Sequence, residues 1–195
     1  ELSIKQIKKI KKDFCNAAKK VKAIGFDCLE IHMAHGYLLH QFFSKISNLR
    51  KDNYGGNLEN RCRLLLDISR EIKKIWPKNK ILGARITGSD RLKKGNHIKE
   101  AIYLTKKLKK IGFDYVCVSS GGILPKTNLK FKKGFNVDLA KKIKKNTKIK
   151  VRTSGNIDDT NFADKLIEKK FIDQICVGRK FISDRFWILK NNKKL

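Results

Sequence analysis

Hydrophobic positions recur along this chain at two alternating periods, one typical of a helix and one typical of a buried strand. From residue 4 to residue 24 the apolar side chains return every three or four positions, with lysines between them, as in an amphipathic helix. Ser3 and Gln6 predict a capping box at its start, and Gly25 predicts its end. We expect its buried face to comprise Ile7, Ile10, Phe14, Ala17, Val21 and Ile24.

The same alternation continues to the end of the chain. Short apolar runs predict strands at 26–31, 81–86, 114–118, 149–153 and 173–177. Amphipathic patterns between them predict further helices at 58–76, 97–111, 137–145 and 159–169. Strands that are each followed by a helix form parallel sheets with right-handed crossovers, so we expect an α/β fold with about five parallel strands and flanking helices. No linker or low-complexity tract interrupts residues 1–195, which therefore form one domain or part of one.

Residues able to bind a ligand follow all five predicted strands. The first strand ends in His32, with His35 and Tyr37 just beyond, inside a long segment at 33–57 that we expect to be a functional loop. The later strands lead into Arg85, Ser119–Gly122, Ser154–Gly155 and Gly178–Arg179. Because parallel β/α folds bind their ligands at the carboxyl ends of the strands, this arrangement predicts one shared site.

These residue types indicate anion and oxygen recognition. Two neutral imidazoles can donate hydrogen bonds to an oxygen that gains negative charge, and a neighbouring phenol can deliver a proton. Gly155 and Gly178 would let backbone N–H groups approach a phosphate, although tight turns explain them equally well. A zinc site needs further ligands, and no third His or Cys has a suitable spacing, so we expect no metal.

Composition leaves a second kind of partner open. The chain carries 47 basic and 18 acidic side chains, a net charge of +29, which permits weak nucleic-acid binding. The lysines recur in every predicted helix rather than in one patch, so solvated helix faces are the simpler interpretation and nucleic acid is an unlikely partner. Five cysteines without a C-x-x-C pair predict a reducing, cytoplasmic location. No apolar run approaches the roughly 20 residues of a membrane helix.

Two long motifs carry a resemblance to a known family. The runs 25–42 and 50–61 resemble the Old Yellow Enzyme family of FMN-dependent NADH:flavin oxidoreductases. The likeness continues in order through Arg85–Ile86, Ser119–Gly122 and Val177–Arg179. The His-x-x-His pair is similar to that of the bacterial ene-reductase branch.

The resemblance implies a fold and a reaction. The fold would be a partial TIM (β/α)8 barrel, in which 1–195 is the C-terminal portion and its strands correspond to strands four to eight. The reaction would be NAD(P)H-dependent reduction of activated C=C bonds in α,β-unsaturated carbonyls, such as enones and enals, with FMN as cofactor. His32 and His35 would hold the carbonyl oxygen, and Tyr37 would donate the proton. The resemblance assigns FMN contacts to His32, Arg85, Ser154, Gly155, Gly178 and Arg179.

Three interpretations follow from the sequence. In the first, the chain is the C-terminal part of an FMN ene-reductase-like enzyme, either a fragment or one half of a split protein, and its partner is a second copy in a homo-oligomer or a complementing N-terminal chain. Alternatively it is an inactive barrel remnant, or a basic binding module with weak nucleic-acid affinity. We prefer the first, because His32, His35, Tyr37 and Arg85 are all intact, and decay to a remnant should have replaced some of them. A five-stranded arc cannot close a barrel and leaves two unpaired edges, so activity of the isolated chain is not expected.

Overall fold

The computed structural model describes residues 1–124 and 131–191, and within those ranges it contains five strands and eight helices. In chain order they are α1 (Ile4–Ile24), β1 (Cys28–Met33), α2 (Leu38–Phe43), α3 (Leu58–Ile75), β2 (Ile81–Thr87), α4 (Ile98–Ile111), β3 (Tyr115–Ser119), α5 (Val137–Thr147), β4 (Lys150–Thr153), α6 (Thr160–Glu168), β5 (Gln174–Ile175), α7 (Arg179–Ser183) and α8 (Trp187–Asn191).

The five strands form one parallel sheet in the order β1-β2-β3-β4-β5, which confirms the predicted sheet with its flanking helices. Every residue of β3 is buried, as expected for a central strand covered on both faces. The prediction for the last strand was too long, because only Gln174 and Ile175 pair with β4. The core between sheet and helices is built mainly from Leu, Ile and Val side chains, among them Leu82, Ile86, Val116, Val118 and Val151.

Helix α1 begins and ends where the sequence predicts. Ser3 Oγ accepts from the Gln6 N–H, and the Gln6 side chain accepts from the Ser3 N–H, so the capping box is formed. Gly25 ends the helix in the left-handed conformation with φ of +97°. The predicted buried face was partly wrong, since Ala17 and Ile24 are exposed and Ala18 is buried instead. Helix α1 packs against α3 along one side, which rotates its buried stripe away from those two positions.

The sequence predicts a loop over 33–57, but the structure has the short helix α2 within this segment. Leu39, Phe42 and Phe43 of this helix are buried, so its apolar side chains anchor it against α3 and β1. Asn48 follows the helix and donates from Nδ2 to the carbonyl oxygens of Phe42 and Tyr54, at 2.6 and 2.8 Å. These bonds tie the rest of the segment to α2.

Both outer strands have an open edge. Within residues 1–124 and 131–191, β1 pairs only with β2, and β5 pairs only with β4. Large apolar side chains are exposed near the amino end of β1, namely Ile24, Phe26 and Ile81. Across the described residues, no helix combines the length and the apolar character needed to cross a bilayer.

Candidate active site

His32, His35 and Tyr37 cluster at the carboxyl end of β1. The ring centroids of His32 and His35 are 5.3 Å apart, and those of His32 and Tyr37 are 5.1 Å apart. His35 Nε2 lies 2.7 Å from the Ser119 Oγ at the end of β3, so one hydrogen bond links the ends of the first and third strands. Tyr37 is 64% exposed, which leaves its phenol accessible beside the two imidazoles.

Two left-handed residues shape the turn that carries these side chains. His35 has a φ of +58° and Gly36 a φ of +74°. A Cβ on Gly36 would lie 2.2 Å from the carbonyl oxygen of Gly122, in the loop after β3, so only glycine fits there. Gly122 also packs closely on His35, whose Cα would lie 2.8 Å from a Cβ on that glycine. The turn after β1 is therefore fixed by direct backbone contact with the loop after β3.

Both imidazoles are neutral near pH 7. Burial, reinforced by the positive charge of Arg85, lowers the pKa of His35 to about 4. The same two causes lower the pKa of His32 below its ordinary value. Arg85 is the strand partner of His32 across β1 and β2, and its buried Nε finds no hydrogen-bond partner within the described residues. The site thus contains a cationic donor without an acceptor.

A cavity of about 1070 Å³ opens beside Arg85 at the carboxyl ends of the strands. Five of the six residues predicted to contact FMN line it, namely Arg85, Ser154, Gly155, Gly178 and Arg179. His32 does not line the cavity but adjoins it through its strand partner Arg85. The structure therefore brings the predicted cofactor residues of β2, β4 and β5 to one hollow, next to the predicted substrate residues of β1. Their individual roles stay predictions.

The end of the cavity below β4 and β5 suits an anion. Gly155 has a φ of +133°, which a side chain rarely adopts, and a Cβ on Gly178 would meet no atom within 4 Å. The space beside Gly178 is therefore open to a ligand, whereas Phe135 and Asn136 fill the side of Gly155 on which a Cβ would stand. Arg179 donates to Asn156 Oδ1 at 2.7 Å. The charged residues in the cavity lining are predominantly cationic. They comprise one carboxylate, Asp158, and four cations, namely Arg85, Lys133, Arg179 and Lys180.

Sequence reasoning missed several polar residues of this region. Asn156 and Lys133 line the cavity, and Asn136 donates from Nδ2 to the Ser154 carbonyl oxygen at 3.0 Å. Asn156 directly follows the predicted Ser-Gly pair, which was the available signal for it. Lys133 and Asn136 lie in the connection between β3 and α5, where no periodicity distinguishes them from other loop residues.

Strand β4 contains one unexpected charged residue, an arginine whose partners lie on neighbouring strands. Arg152 lies in a strand that is otherwise apolar at its centre. Its guanidinium packs 4.5 Å from the Tyr115 ring centroid and 3.6 Å from the Glu30 carboxylate. Tyr115 also donates to Glu30 at 2.9 Å. Arg152 Nε also donates to Gln174 Oε1 of β5 at 3.0 Å, so the arginine has partners on β1, β3 and β5.

A second cavity, of about 410 Å³, lies away from this site beside the amino ends of β4 and β5. Its lining is rich in lysines, with Lys141, Lys144, Lys145, Lys148, Lys150 and Lys170 around Phe171 and Asp173. This is the local feature that agrees with the basic-module alternative. In the part of the chain that the structure describes, no three or more His, Cys, Asp or Glu side chains are arranged to hold a metal ion.

Solved structures of barrel enzymes resemble this chain closely. 2-Naphthoyl-CoA reductase matches 97% of the chain with a TM-score of 0.88 at 26% identity, over 29% of its own length. Morphinone reductase matches 97% of the chain with a TM-score of 0.78 at 26% identity, over 50% of its own length. The predicted partial β/α barrel is thereby confirmed. The assignment of the five strands to positions four to eight stays a prediction.

Curated relatives agree with the structures. The NADPH dehydrogenase of Bacillus subtilis (strain 168) is 35% identical over 195 residues, which is 100% of this chain and 57% of the relative. The NADH oxidase of Thermoanaerobacter brockii is 37% identical over 191 residues, 96% of this chain and 29% of the relative. The chain thus spans little more than half the length of the NADPH dehydrogenases it matches.

The family match extends over the whole chain. The description NADH:flavin oxidoreductase / NADH oxidase family applies to residues 1–195. It confirms the predicted resemblance to the Old Yellow Enzyme family, and both the family description and the names of the relatives refer to oxidoreductases that use flavin or a nicotinamide cofactor. On this evidence, the chain belongs to the NADH:flavin oxidoreductase / NADH oxidase family.

Proposed function

We propose that this chain is the FMN-binding part of an NAD(P)H-dependent oxidoreductase that reduces activated C=C bonds of α,β-unsaturated carbonyls. The observation that carries the proposal is the position of Arg85. Arg85 lines the cavity, its buried Nε has no hydrogen-bond partner within the described residues, and its strand partner is His32. Arg85 therefore belongs both to the lining of the cavity and to the surroundings of the two neutral imidazoles.

The residues present fit a flavin mononucleotide. Arg85 offers a free donor and a positive charge to the flavin ring, and His32 would contact the same ring from β1. Ser154, Gly155, Gly178 and Arg179 would surround the phosphate at the cationic end of the cavity. When bound, FMN supplies the capacity to take a hydride from NAD(P)H and to return it to a carbon of the substrate.

The chain's own residues would act on the substrate side. His32 and His35 are neutral near pH 7, because their pKa values are lowered by burial and by Arg85. When His35 Nε2 accepts from the Ser119 hydroxyl, the single ring proton of His35 is on Nδ1 and free to be donated. The two neutral imidazoles, with ring centroids 5.3 Å apart, would then donate to one carbonyl oxygen and stabilise the negative charge that hydride addition places there. The accessible Tyr37 hydroxyl would protonate the carbon next to that carbonyl.

Further β/α units are needed to close the pocket, and we propose that another polypeptide segment supplies them. The open edges of β1 and β5 provide pairing surfaces for such a segment, and the NADPH dehydrogenase relatives are longer than this chain. A second copy of the chain pairing at the same edges is the alternative. The five cysteines of this chain are unpaired, which agrees with our prediction of a cytoplasmic location.

The experiment compares the chain alone with the chain co-expressed with the remaining segment of the Bacillus subtilis relative. After desalting, flavin absorbance is recorded, and NADPH consumption is followed with and without 2-cyclohexenone. We expect flavin and enone-dependent NADPH oxidation in the complemented protein. Arg179→Gln should weaken FMN retention by about tenfold or more, since a charged hydrogen bond is lost. Arg185→Gln is the matched control, because Arg185 is exposed and outside the cavity lining.

Three results would each contradict a part of this proposal. A complemented protein that retains no flavin would show that the cavity is not an FMN site. Equal FMN retention in the Arg179→Gln and Arg185→Gln proteins would remove Arg179 from the phosphate contacts. Flavin retention without any enone-dependent NADPH oxidation would instead favour the inactive remnant.

A further inference from the structure

Four polar residues form a buried cluster directly behind the turn that carries His35 and Tyr37. His40 of α2, Ser44 at its end, and Asp90 and Asn96 of the loop after β2 all have 0% exposure. None of them lines the cavity or belongs to the proposed substrate contacts. Burying a carboxylate is costly unless hydrogen bonds compensate it, so this cluster requires an explanation.

The hydrogen bonds of the cluster converge on the Asp90 carboxylate. Asp90 Oδ1 lies 2.8 Å from His40 Nε2, and Oδ2 accepts from Ser44 Oγ at 2.6 Å and from the Asn96 N–H at 2.7 Å. Although burial acts to raise it, these bonds hold the pKa of Asp90 below its usual value. The carboxylate is therefore charged and acts only as an acceptor.

The other nitrogen of His40 reaches the active-site turn. Its Nδ1 lies 2.9 Å from the backbone nitrogen of Gly36, whose N–H points at it. A backbone N–H can only donate, so Nδ1 must be unprotonated and accept. The single ring proton then resides on Nε2 and is donated to Asp90. The heavy-atom geometry thus selects one neutral tautomer of His40.

We propose that His40, held in this tautomer by Asp90, is a positioning residue that aims His35 and Tyr37 at the substrate. The roles of those two side chains rest on the proposed function. His40 does not line the cavity, and it acts through its hydrogen bond with the Gly36 N–H, on the backbone between His35 and Tyr37. Binding of the substrate's carbonyl oxygen is the interaction that depends on this geometry.

The turn needs such support because its conformation is intrinsically unfavourable. His35 adopts the left-handed region with a φ of +58°, which is unfavourable for a residue that carries a Cβ. The Gly36 peptide is held on both sides, with its N–H on His40 and its carbonyl oxygen accepting from Gln41 Nε2 at 2.6 Å. Loss of the His40 bond would leave the turn free to relax and move both flanking side chains.

The primary test is a measurement on the unchanged chain. Nitrogen-15 NMR of the histidine rings distinguishes a protonated from an unprotonated ring nitrogen. We expect His40 to be protonated at Nε2 only, and the Gly36 amide to show slow hydrogen exchange. A His40 protonated at Nδ1, or an imidazolium at pH 7, would overturn the proposal without any variant.

Asp90→Asn is the most informative variant, because its hydrogen-bond partners determine the orientation of the new amide group. The Asn96 N–H must donate to the new side chain, so the amide oxygen has to occupy the Oδ2 position. The amide NH2 then faces His40 Nε2 and forces the ring proton to Nδ1, against the Gly36 N–H. We expect the opposite His40 tautomer, exchange of the Gly36 amide about tenfold faster, and shifted His35 and Tyr37 resonances.

Ser44→Ala is the matched control, since it removes another hydrogen bond from the same carboxylate and leaves the His40 contact in place. It should lower stability without changing the tautomer or the resonances of His35 and Tyr37. If Ser44→Ala shifts those resonances as much as Asp90→Asn, the effect is one of stability and the proposal is wrong. If the tautomer behaves as expected while the complemented protein reduces no enone, the positioning role stands and the proposed function fails.

Discussion

At the scale of single residues, His35 shows how a residue of the candidate site can lower the stability of the folded chain. Its backbone is left-handed, its ring is partly buried beside Arg85, and its pKa is lowered to about 4 from an ordinary value of 6.5. The unfolded chain therefore binds a proton between pH 6.5 and pH 4 that the folded chain does not bind. The contribution of His35 to stability is therefore fully present above pH 6.5 and is lost as the pH drops toward 4.

We expect His35→Asn to remove this part of the pH dependence. Asparagine tolerates the left-handed conformation better than most residues, so the backbone should persist. Between pH 7 and pH 4.5 the wild-type chain should lose about 2 kcal/mol more unfolding free energy than the variant, a value discounted because the ring is only partly buried. Urea unfolding at several pH values measures the difference.

His97→Asn is the control for that experiment. His97 is exposed and precedes α4 as its N-cap, a position in which asparagine is equally suitable. The pH dependence of this variant should parallel that of the wild-type chain. A His35→Asn protein with the wild-type slope would show that the imidazole is not held neutral by its surroundings.

At the scale of elements, the segment between β1 and α3 is ordered by a few polar side chains rather than by regular structure. Asn48 is 8% exposed, and its amide NH2 donates to two carbonyl oxygens on either side of the segment. Arg61 of α3 performs a similar task, donating to the carbonyl oxygens of Phe43 and Gly56. The loop that carries the active-site turn is thus fixed to α3.

Asn48→Asp should loosen this segment, because a carboxylate cannot donate to the two carbonyl oxygens and repels them. Leaving two buried acceptors unpaired should cost about 2–4 kcal/mol of unfolding free energy. Limited proteolysis should then cut within residues 44–57 before the rest of the chain. Asn53→Asp, at an exposed position of the same segment, should change neither quantity. Equal protease resistance of the two variants would show that Asn48 does not order the segment.

Element by element, periodicity was a good guide where burial is one-sided. The sheet, the five helices predicted by amphipathic patterns and the α1 capping box all appear as expected, within a few residues. Helix α2 escaped prediction because it is only six residues long and has no amphipathic period to detect. The shift from Ala17 to Ala18 on α1 reflects the direction of packing against α3, which a single helix cannot encode.

The site was predictable in outline because parallel strands bring their carboxyl ends together. That rule alone placed Arg85, Gly155 and Gly178 around one cavity. Tertiary contacts determine the rest, and they leave no local signal. The contact between the Gly36 and Gly122 backbones joins loops after β1 and β3, and the His40–Asp90 pair joins residues 50 positions apart.

At the scale of the whole molecule, the open edges decide how the chain behaves alone. An unpaired parallel edge exposes backbone donors and acceptors that another strand can bind. Apolar side chains beside β1 add to this tendency, since Phe26 is 57% exposed and Ile24 is 73% exposed. The positive charge opposes association at low salt, because copies of the chain repel each other until salt screens them.

The uncomplemented chain should therefore self-associate as the salt concentration rises, which sedimentation velocity at several protein concentrations would detect. Phe26→Ser should weaken the association by about tenfold, because burying a phenylalanine contributes on the order of 1.5–3 kcal/mol. Ile167→Ser is the control, since Ile167 is also exposed but lies on α6. Addition of the complementing segment should convert the assemblies into a single defined species, because that segment would cover the same edge. If Phe26→Ser and Ile167→Ser associate equally, the β1 edge is not the pairing surface, and closure of the barrel must be sought at β5.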